Sequence, residues 1–357
     1  MIPSAGAKTG ALHRRVLGAT ANTESSDVGD AMPNTKRSSK MPRVSVVVRS
    51  YNESEHIGKL MRGLASQSHQ DYEVVLVDSG STDDTVAIAE SHGARIVRID
   101  KSEFSFGRAL NIGCAAAEGE ILVFASAHVY PLRTDWIASL IAPFESPAIA
   151  LTYGRQVGNS VSKFSEHQVF DAWFPAHSVA RQASYFCNNA NCAIRRSAWE
   201  ERRYDETLTG LEDLAWAKLA QQQGGQIAYV AEAVIAHVHD ETWARVRNRY
   251  RREAIALRRI ESNIRVSFRD FLGLAAANIA EDIRRARKQR VLKREWRSIL
   301  LFRFNQFYGT WRGQTTHTPI DAALRNRFYY PASQAAPHAA PAESTTAAAR
   351  ERSIQYD

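Results

Sequence analysis

The sequence predicts an α/β fold, with a mostly parallel sheet flanked by helices, and three observations predict it. Apolar runs at 44–48, 72–77, 95–99 and 121–125 alternate with helical segments at 55–66, 82–92 and 107–117. This order implies right-handed crossovers, because parallel strands need a helix between them. The first two strands each run straight into a polar turn, RSYNE at 49–53 and DSGSTDDT at 78–85. Strand ends of this kind are where open α/β sheets bind ligands. Finally, 357 residues with 44% hydrophobic content suffice for one large domain or two modest ones.

The elements follow in order. Residues 1–41 are rich in Ala, Ser, Thr and Gly, lack apolar periodicity, and are expected to be disordered. The run VSVVV at 44–48 is a buried strand. The helix at 55–66 puts Ile57, Leu60, Met61 and Leu64 on one face. The helix at 82–92 carries Asp83 and Asp84 in its first turn, where carboxylates complement the positive helix end. A helix at 135–142 follows the fourth strand. Residues 150–240 are less regular, with a helix at 211–222 and a short strand at 226–230. An Arg-rich helix spans 242–260. Another runs from 268 to about 290, with Phe268, Phe271, Leu272, Ala275, Ile279 and Ile283 on one stripe. These segments divide the chain into a domain at 42–240, a basic helical extension at 241–331 and a disordered tail at 332–357.

The net charge of +8 is concentrated in that extension. Between Asp240 and Arg297 there are 17 Lys and Arg against 8 Asp and Glu, so the rest of the chain is close to neutral. A solvated helical face accounts for this, and so does an anionic membrane surface or an anionic acceptor. Nucleic acid is not expected as a partner, because no aromatic-interleaved basic strand or zinc motif is present. Cys114, Cys187 and Cys192 have no framework spacing, which fits reduced thiols in the cytoplasm. No apolar run approaches the roughly 18 to 20 residues that span a bilayer. Arg14-Arg15 is not followed by the apolar core of a secretory signal.

The turns narrow the chemistry. RSYNE has no glycine, so it offers no pyrophosphate cradle of the dinucleotide-binding kind, and no GxxxxGK[ST] loop exists. Carboxylates and hydroxyls at these strand ends suit the base and ribose of a nucleotide and repel a bare phosphate.

Five segments in order carry a resemblance: VSVVVRSYNE, VDSGSTDDT, FGRALNIGCAAAEGE, a short polar motif after Phe124, and GLEDLAWA at 210–217. Together, across residues 42–259, they resemble the family-2 inverting glycosyltransferases of GT-A fold, in particular the rhamnosyltransferase-like bacterial members. That resemblance implies transfer of a sugar from a nucleotide-diphosphate donor to an acceptor hydroxyl. It implies that Ser50, Tyr51, Glu53, Asp78, Asn111 and Ser126 line the nucleotide pocket, with Asp78 accepting from the base. It implies that Asp213 deprotonates the acceptor, as general-base chemistry requires, while Glu212 orients the acceptor or caps the helix. Asn189, Asn191 and Trp173 are expected at the donor and acceptor sites. The plain alternatives are a first-turn helix charge for Glu53 and for the Glu212-Asp213 pair, and core packing for Trp173.

The metal motif departs from the family. Where Asp-x-Asp is usual, this chain has Ser126-Ala127-His128. Mg²⁺ wants oxygen ligands, whereas imidazole suits Mn²⁺ and its neighbours. The polypeptide N-acetylgalactosaminyltransferases, of similar fold, use Asp-x-His with a further His in a strand-end HV segment. His128 and His237 are the matching candidates here, and His239 is expected to face solvent.

The reading is a glycosyltransferase that adds one sugar at a time to a glycan or lipid-linked glycan. The processive Q-x-x-R-W motif is absent. A GT-A fold reduced to a glycan- or nucleotide-binding module is the alternative, motivated by Ser126. A sugar nucleotidyltransferase would need a Gly-rich basic loop after the first strand, which RSYNESEH does not offer.

Overall fold

A computed structural model describes residues 43–316, 328–329 and 352–356. The expected disorder at 1–41 lies outside the described residues, as does most of the tail at 332–357.

Strands β1 (Val44–Ser50), β2 (Tyr72–Asp78), β3 (Arg95–Arg98) and β4 (Ile121–Ser126) pair in parallel in the order β3-β2-β1-β4. Helices α1 (Ser54–Ala65), α2 (Thr85–Ser91) and α3 (Phe106–Ala116) connect them. The β1 side chains alternate: Val44, Val46 and Val48 enter one apolar cluster with Ile57, Leu60 and Leu64, while Val47 enters the other with Leu110 and Phe124. A period of two thus splits the core across both faces of the sheet.

The second half of the sheet comes from the region that lacked a clear pattern. β5 (Val129–Pro131), α4 (Trp136–Ile141), β6 (Ile149–Val157), α5 (Phe164–Trp173), β7 (Asn191–Arg195), α6 (Arg196–Glu201), α7 (Glu212–Gln222) and β8 (Gln226–His237) follow in order. β7 runs antiparallel to β4 and β6, β8 parallel to β6, and β5 antiparallel to β8 at the edge. β8 is longer than the strand expected at 226–230, and its far end pairs His237 with Val129.

α2 begins at Thr85, so Asp83 and Asp84 lie before it rather than in its first turn. Asp83 instead accepts from the Thr85 and Ser54 amides at 3.1 Å each, tying the two polar turns together.

Three long helices form the extension: α8 (Trp243–Ile260), α9 (Phe268–Lys288) and α10 (Leu292–Gln314). Ser267 and Asp270 close a capping box at the start of α9. α10 had no counterpart in the sequence reading. Its Gly309 and Gly313 lie against the carbonyls of Arg247 and Arg251 on α8, where any Cβ would collide. A buried bidentate pair joins α9 to α10: Arg303 Nε meets Asp282 Oδ2 at 2.7 Å and Nη2 meets Oδ1 at 3.0 Å. Arg285 donates to Gln168 on α5 at 2.8 Å, anchoring the extension to the sheet domain.

The tail corrects one expectation. Residues 352–356 return to the sheet edge instead of remaining disordered. The Ile354 amide donates to Leu132 O at 3.0 Å and the Thr134 amide to Arg352 O at 2.9 Å. The Tyr356 phenol donates to Pro131 O at 2.6 Å, and its ring packs 5.3 Å from Tyr130. An edge strand has unpaired backbone groups, and this tail covers them.

Candidate active site

The turns after β1 and β2 are stapled to each other. Asn52, at a φ of 53°, accepts the Thr82 amide on its side-chain oxygen at 2.8 Å and donates its own amide to Ser81 Oγ at 2.9 Å. Asn tolerates that left-handed backbone. Beside them, Asp78, Gly80, Ser81, Asp83, Arg98 and Asp100 line a cavity of about 370 Å³.

Asp78 belongs to the turn itself. Its Oδ2 accepts the amides of Gly80 at 2.9 Å and Ser81 at 3.0 Å, and its Oδ1 accepts the hydroxyls of Ser81 and Ser50. Those bonds tie the carboxylate into the turn at the wall of the cavity. Ser50 is buried behind it. Tyr51 stands at the rim with the Lys101 ammonium 4.5 Å from its ring centre. Ser126 ends β4, half-buried.

Three histidines meet where β5 pairs with β8. Register sets Val129 opposite His237, and the Val238 amide donates to His128 O at 3.1 Å, so His128 lies beside His237. Their rings stack at 5.2 Å, and His239 lies 4.0 Å from His237. One ring nitrogen of each lies within 4.8 Å of those of the others. His239 is therefore no solvent-facing residue.

Each ring is oriented from behind. His128 Nδ1 donates to Glu53 Oε1 at 2.9 Å, His237 Nδ1 to Gln156 Oε1 at 2.7 Å, and His239 Nδ1 to Glu166 Oε1 at 2.8 Å. These oxygens only accept, so the proton sits on Nδ1 and Nε2 keeps its lone pair. His237 Nε2 is buried with no hydrogen-bond partner. Burial, then the neighbouring His239 and His128, push the His237 pKa well down, so the ring is neutral. Burial opposes protonation of His128 as well, but the Glu53 carboxylate outweighs it and raises that pKa. Outer oxygen partners of this kind are what metal-ligating histidines have. Three imidazoles, each with a ring nitrogen within 4.8 Å of the others, suit Mn²⁺ or another transition cation better than Mg²⁺. Glu53 thus orients His128.

Glu166, His239 and Glu241 also cluster. There the Arg249 guanidinium already bridges Glu166 at 2.6 Å and Glu241 at 2.7 Å. Burial would raise the Glu166 pKa, yet His239 and Arg249 hold it at about 2. That group is a buttress for His239.

The acidic pair opens α7. Leu211, at a φ of 56°, turns the chain into the helix. Glu212 and Asp213 are both buried. Glu212 accepts from Arg49 at 2.9 Å. Asp213 accepts the Asn189 amide on Oδ2 at 2.9 Å and the Leu214 amide on Oδ1 at 2.8 Å. Burial first, and then the charge of Glu212, push its pKa up to about 7. The Arg49 charge favours the ionised form of Asp213 and opposes protonation of His128. The side-chain amide of Asn189 is buried beside Asp213, and neither of its polar atoms has a partner.

Comparison with known proteins bears on the family and the fold. The sequence profile of glycosyl transferase family 2 matches residues 45–203. The chain carries a family-2 glycosyltransferase domain. The chain is 25% identical over 212 residues to the O-antigen chain rhamnosyltransferase RfbN of Salmonella typhimurium, covering 56% of this chain and 68% of that one. It is 26% identical over 214 residues to the O-antigen chain rhamnosyltransferase WbaN of Salmonella anatum, covering 57% and 68%. Among solved structures, the mannosyltransferase PcManGT from Pyrobaculum calidifontis, in complex with GDP-Man and Mn²⁺, shares the fold at a TM-score of 0.54. That match has 18% identity and covers 75% of this chain and 86% of that one.

Within the glycosyltransferase domain, three of the expected binding residues make contacts inside the fold. Asn111 donates to Tyr204 O and Glu206 Oε1 at 2.9 Å each, and accepts from Trp199 Nε1 at 3.1 Å and the Tyr204 amide at 2.9 Å. Asn191 is fully buried, donates to Arg155 O and Ala233 O, and accepts from Trp136 Nε1 at 2.9 Å. Both amides spend their capacity on the fold, so neither is free for a ligand. Trp173 packs 4.6 Å from Phe186 against the core. Conversely, Gln156 and Glu166 were not singled out, and His239 was expected to face solvent. The alternation of His237 and His239 at i and i+2, which share one face of an extended chain, was the signal for the last of them.

Proposed function

We propose that this glycosyltransferase moves one sugar at a time, with inversion, from a nucleotide-diphosphate sugar to a hydroxyl of a growing cell-surface glycan or its lipid-linked precursor. The observation that carries the reading is Asp213: a buried carboxylate with its pKa near 7, beside the unpaired Asn189 amide. Such a group is a competent base at neutral pH. The O-antigen rhamnosyltransferases among its relatives favour a cell-surface glycan as acceptor.

The step is a single displacement. The acceptor oxygen forms its bond to the anomeric carbon as Asp213 takes the hydroxyl proton. The bond from that carbon to the diphosphate breaks on the opposite face, and the electron pair leaves with the nucleoside diphosphate. The Asn189 and Leu214 amides hold the carboxylate in place, and Arg49 fixes Glu212 beside it. Asn189 would bind a sugar hydroxyl through its side chain. The cavity beside the Asp78 turn would take the base and ribose. A divalent transition cation held by His128, His237 and His239 would supply positive charge for the departing diphosphate. The histidines answer the loss of the aspartates at 126–128, and so favour an enzyme over a binding module.

The extension at 241–331 would hold the enzyme against the anionic cytoplasmic face of the membrane, where lipid-linked acceptors reside. No helix among the described residues is long and apolar enough to cross a membrane.

A thermal-shift panel of UDP, GDP, dTDP and CMP, each with and without Mn²⁺, tests the donor and metal proposals. A ligand of the native state raises Tm. One diphosphate should stabilise the protein more strongly with Mn²⁺ than without it. No shift with any of them would contradict a nucleotide site here.

A further inference from the structure

Helices α9 and α10 leave a row of large apolar side chains in solvent. Phe268 and Leu272 on α9, with Trp296, Leu300, Leu301 and Phe304 on α10, are 37% to 51% exposed. Spacings of four residues put Trp296, Leu300 and Phe304 on one face of α10. Aromatic contacts bridge the two helices on this side, where Phe268 meets Trp311 at 5.2 Å and Phe271 meets Phe304 at 5.7 Å.

Charge gathers at one end of this row. Residues 284–297, which join α9 to α10, carry eight Lys and Arg and one acid, Glu295. Arg287, Lys288, Arg290, Lys293 and Arg297 are exposed. Single exposed apolar residues need no explanation, but a contiguous row marks an interaction surface. A second copy of the chain would bring the same positive charge to the contact, whereas an anionic bilayer neutralises it. Trp at the headgroup level, flanked by basic side chains, is the arrangement of a helix lying in a membrane interface.

We infer that the α9–α10 seam inserts Trp296, Leu300 and Phe304 into the interface of an anionic bilayer, with the 284–297 turn on the headgroups. The inference rests on the membrane reading above and adds an apolar component to it.

Flotation of the full chain with vesicles tests it, using phosphatidylcholine alone and phosphatidylcholine mixed with phosphatidylglycerol. Wild type should float with the mixed vesicles only. A Trp296→Ser/Leu300→Ser/Phe304→Ser variant should bind at least about tenfold more weakly, with unchanged circular dichroism and unchanged nucleotide-induced Tm shift. A Lys293→Gln/Arg294→Gln/Arg297→Gln variant should also weaken. If the apolar variant binds as tightly as wild type while the charge variant does not, insertion is overturned and the membrane reading survives. If wild type floats with neither vesicle, both fall. A concentration-dependent dimer in sedimentation that the apolar variant lacks would assign the row to self-association and overturn the inference.

Discussion

The backbone amide of Asn189 donates to the carboxylate of Asp213 at 2.9 Å, while the side chain of Asn189 stays buried and unpaired beside it. One residue therefore both holds the Asp213 carboxylate and keeps two buried polar atoms without partners. A buried amide without partners costs a few kcal/mol at most sites. At a binding site that debt is settled by the substrate.

The pH dependence follows from Asp213. Its pKa is raised to about 7 by burial and by Glu212. The base works only when ionised, so kcat/KM should fall about tenfold per unit as pH drops below 7. Glu212→Gln removes one negative neighbour and frees Arg49 to favour the ionised form. The acidic limb of the profile should then move to lower pH, and a limb that stays in place or moves upward would contradict this coupling.

The histidine site makes a prediction away from its ligands. Gln156 accepts from His237 Nδ1 at 2.7 Å, behind the ring, and donates to Asn188 Oδ1 at 3.0 Å. Gln156→Leu should lower Mn²⁺ or Co²⁺ affinity about 10- to 100-fold by releasing the ring's tautomer and orientation. Titration calorimetry measures it. Mg²⁺ should bind far more weakly than either cation to the unaltered protein.

The returning tail should be worth measurable stability. Tyr356→Ala removes a hydrogen bond to Pro131 and a ring packed on Tyr130. The expected loss is about 1–2 kcal/mol, or a few degrees in Tm. Hydrogen exchange should quicken at the Thr134 and Ile354 amides. Unchanged exchange there would show that the tail does not hold the edge.

The extension turns on one ion pair. Asp282→Asn leaves the Arg303 guanidinium buried without its charge partner, which should cost about 3–5 kcal/mol. Asp282→Leu combined with Arg303→Met should recover most of that loss. Calorimetric unfolding of the single and double variants checks both values.

The first half of the sheet was legible because its strands are β-branched runs that end in polar turns, and each crossover helix has its own apolar face. The second half was not. β6 and β7 carry polar residues such as Gln156 and Asn191, whose partners lie 81 and 55 residues away in sequence. Local pattern cannot show such contacts. α10 was not assigned from the sequence, and its Gly309 and Gly313 are what let it meet the α8 backbone, a contact that local pattern does not show. At the site, the types of residue were right more often than their roles. Asp78 and Asn191 are polar and buried because a turn and a strand end need internal partners, and Asn111 because helix α3 uses it to hold the Tyr204 and Trp199 segment. Only three-dimensional contact separates such an amide from Asn189, whose atoms are left open.

The most direct test of the central claim is turnover by Asp213→Asn with whichever nucleotide-sugar the wild type consumes. The variant should lose about 10²- to 10⁴-fold in kcat while the nucleoside diphosphate still raises its Tm by the wild-type amount. Unchanged turnover by Asp213→Asn would contradict the assignment of this carboxylate as the base.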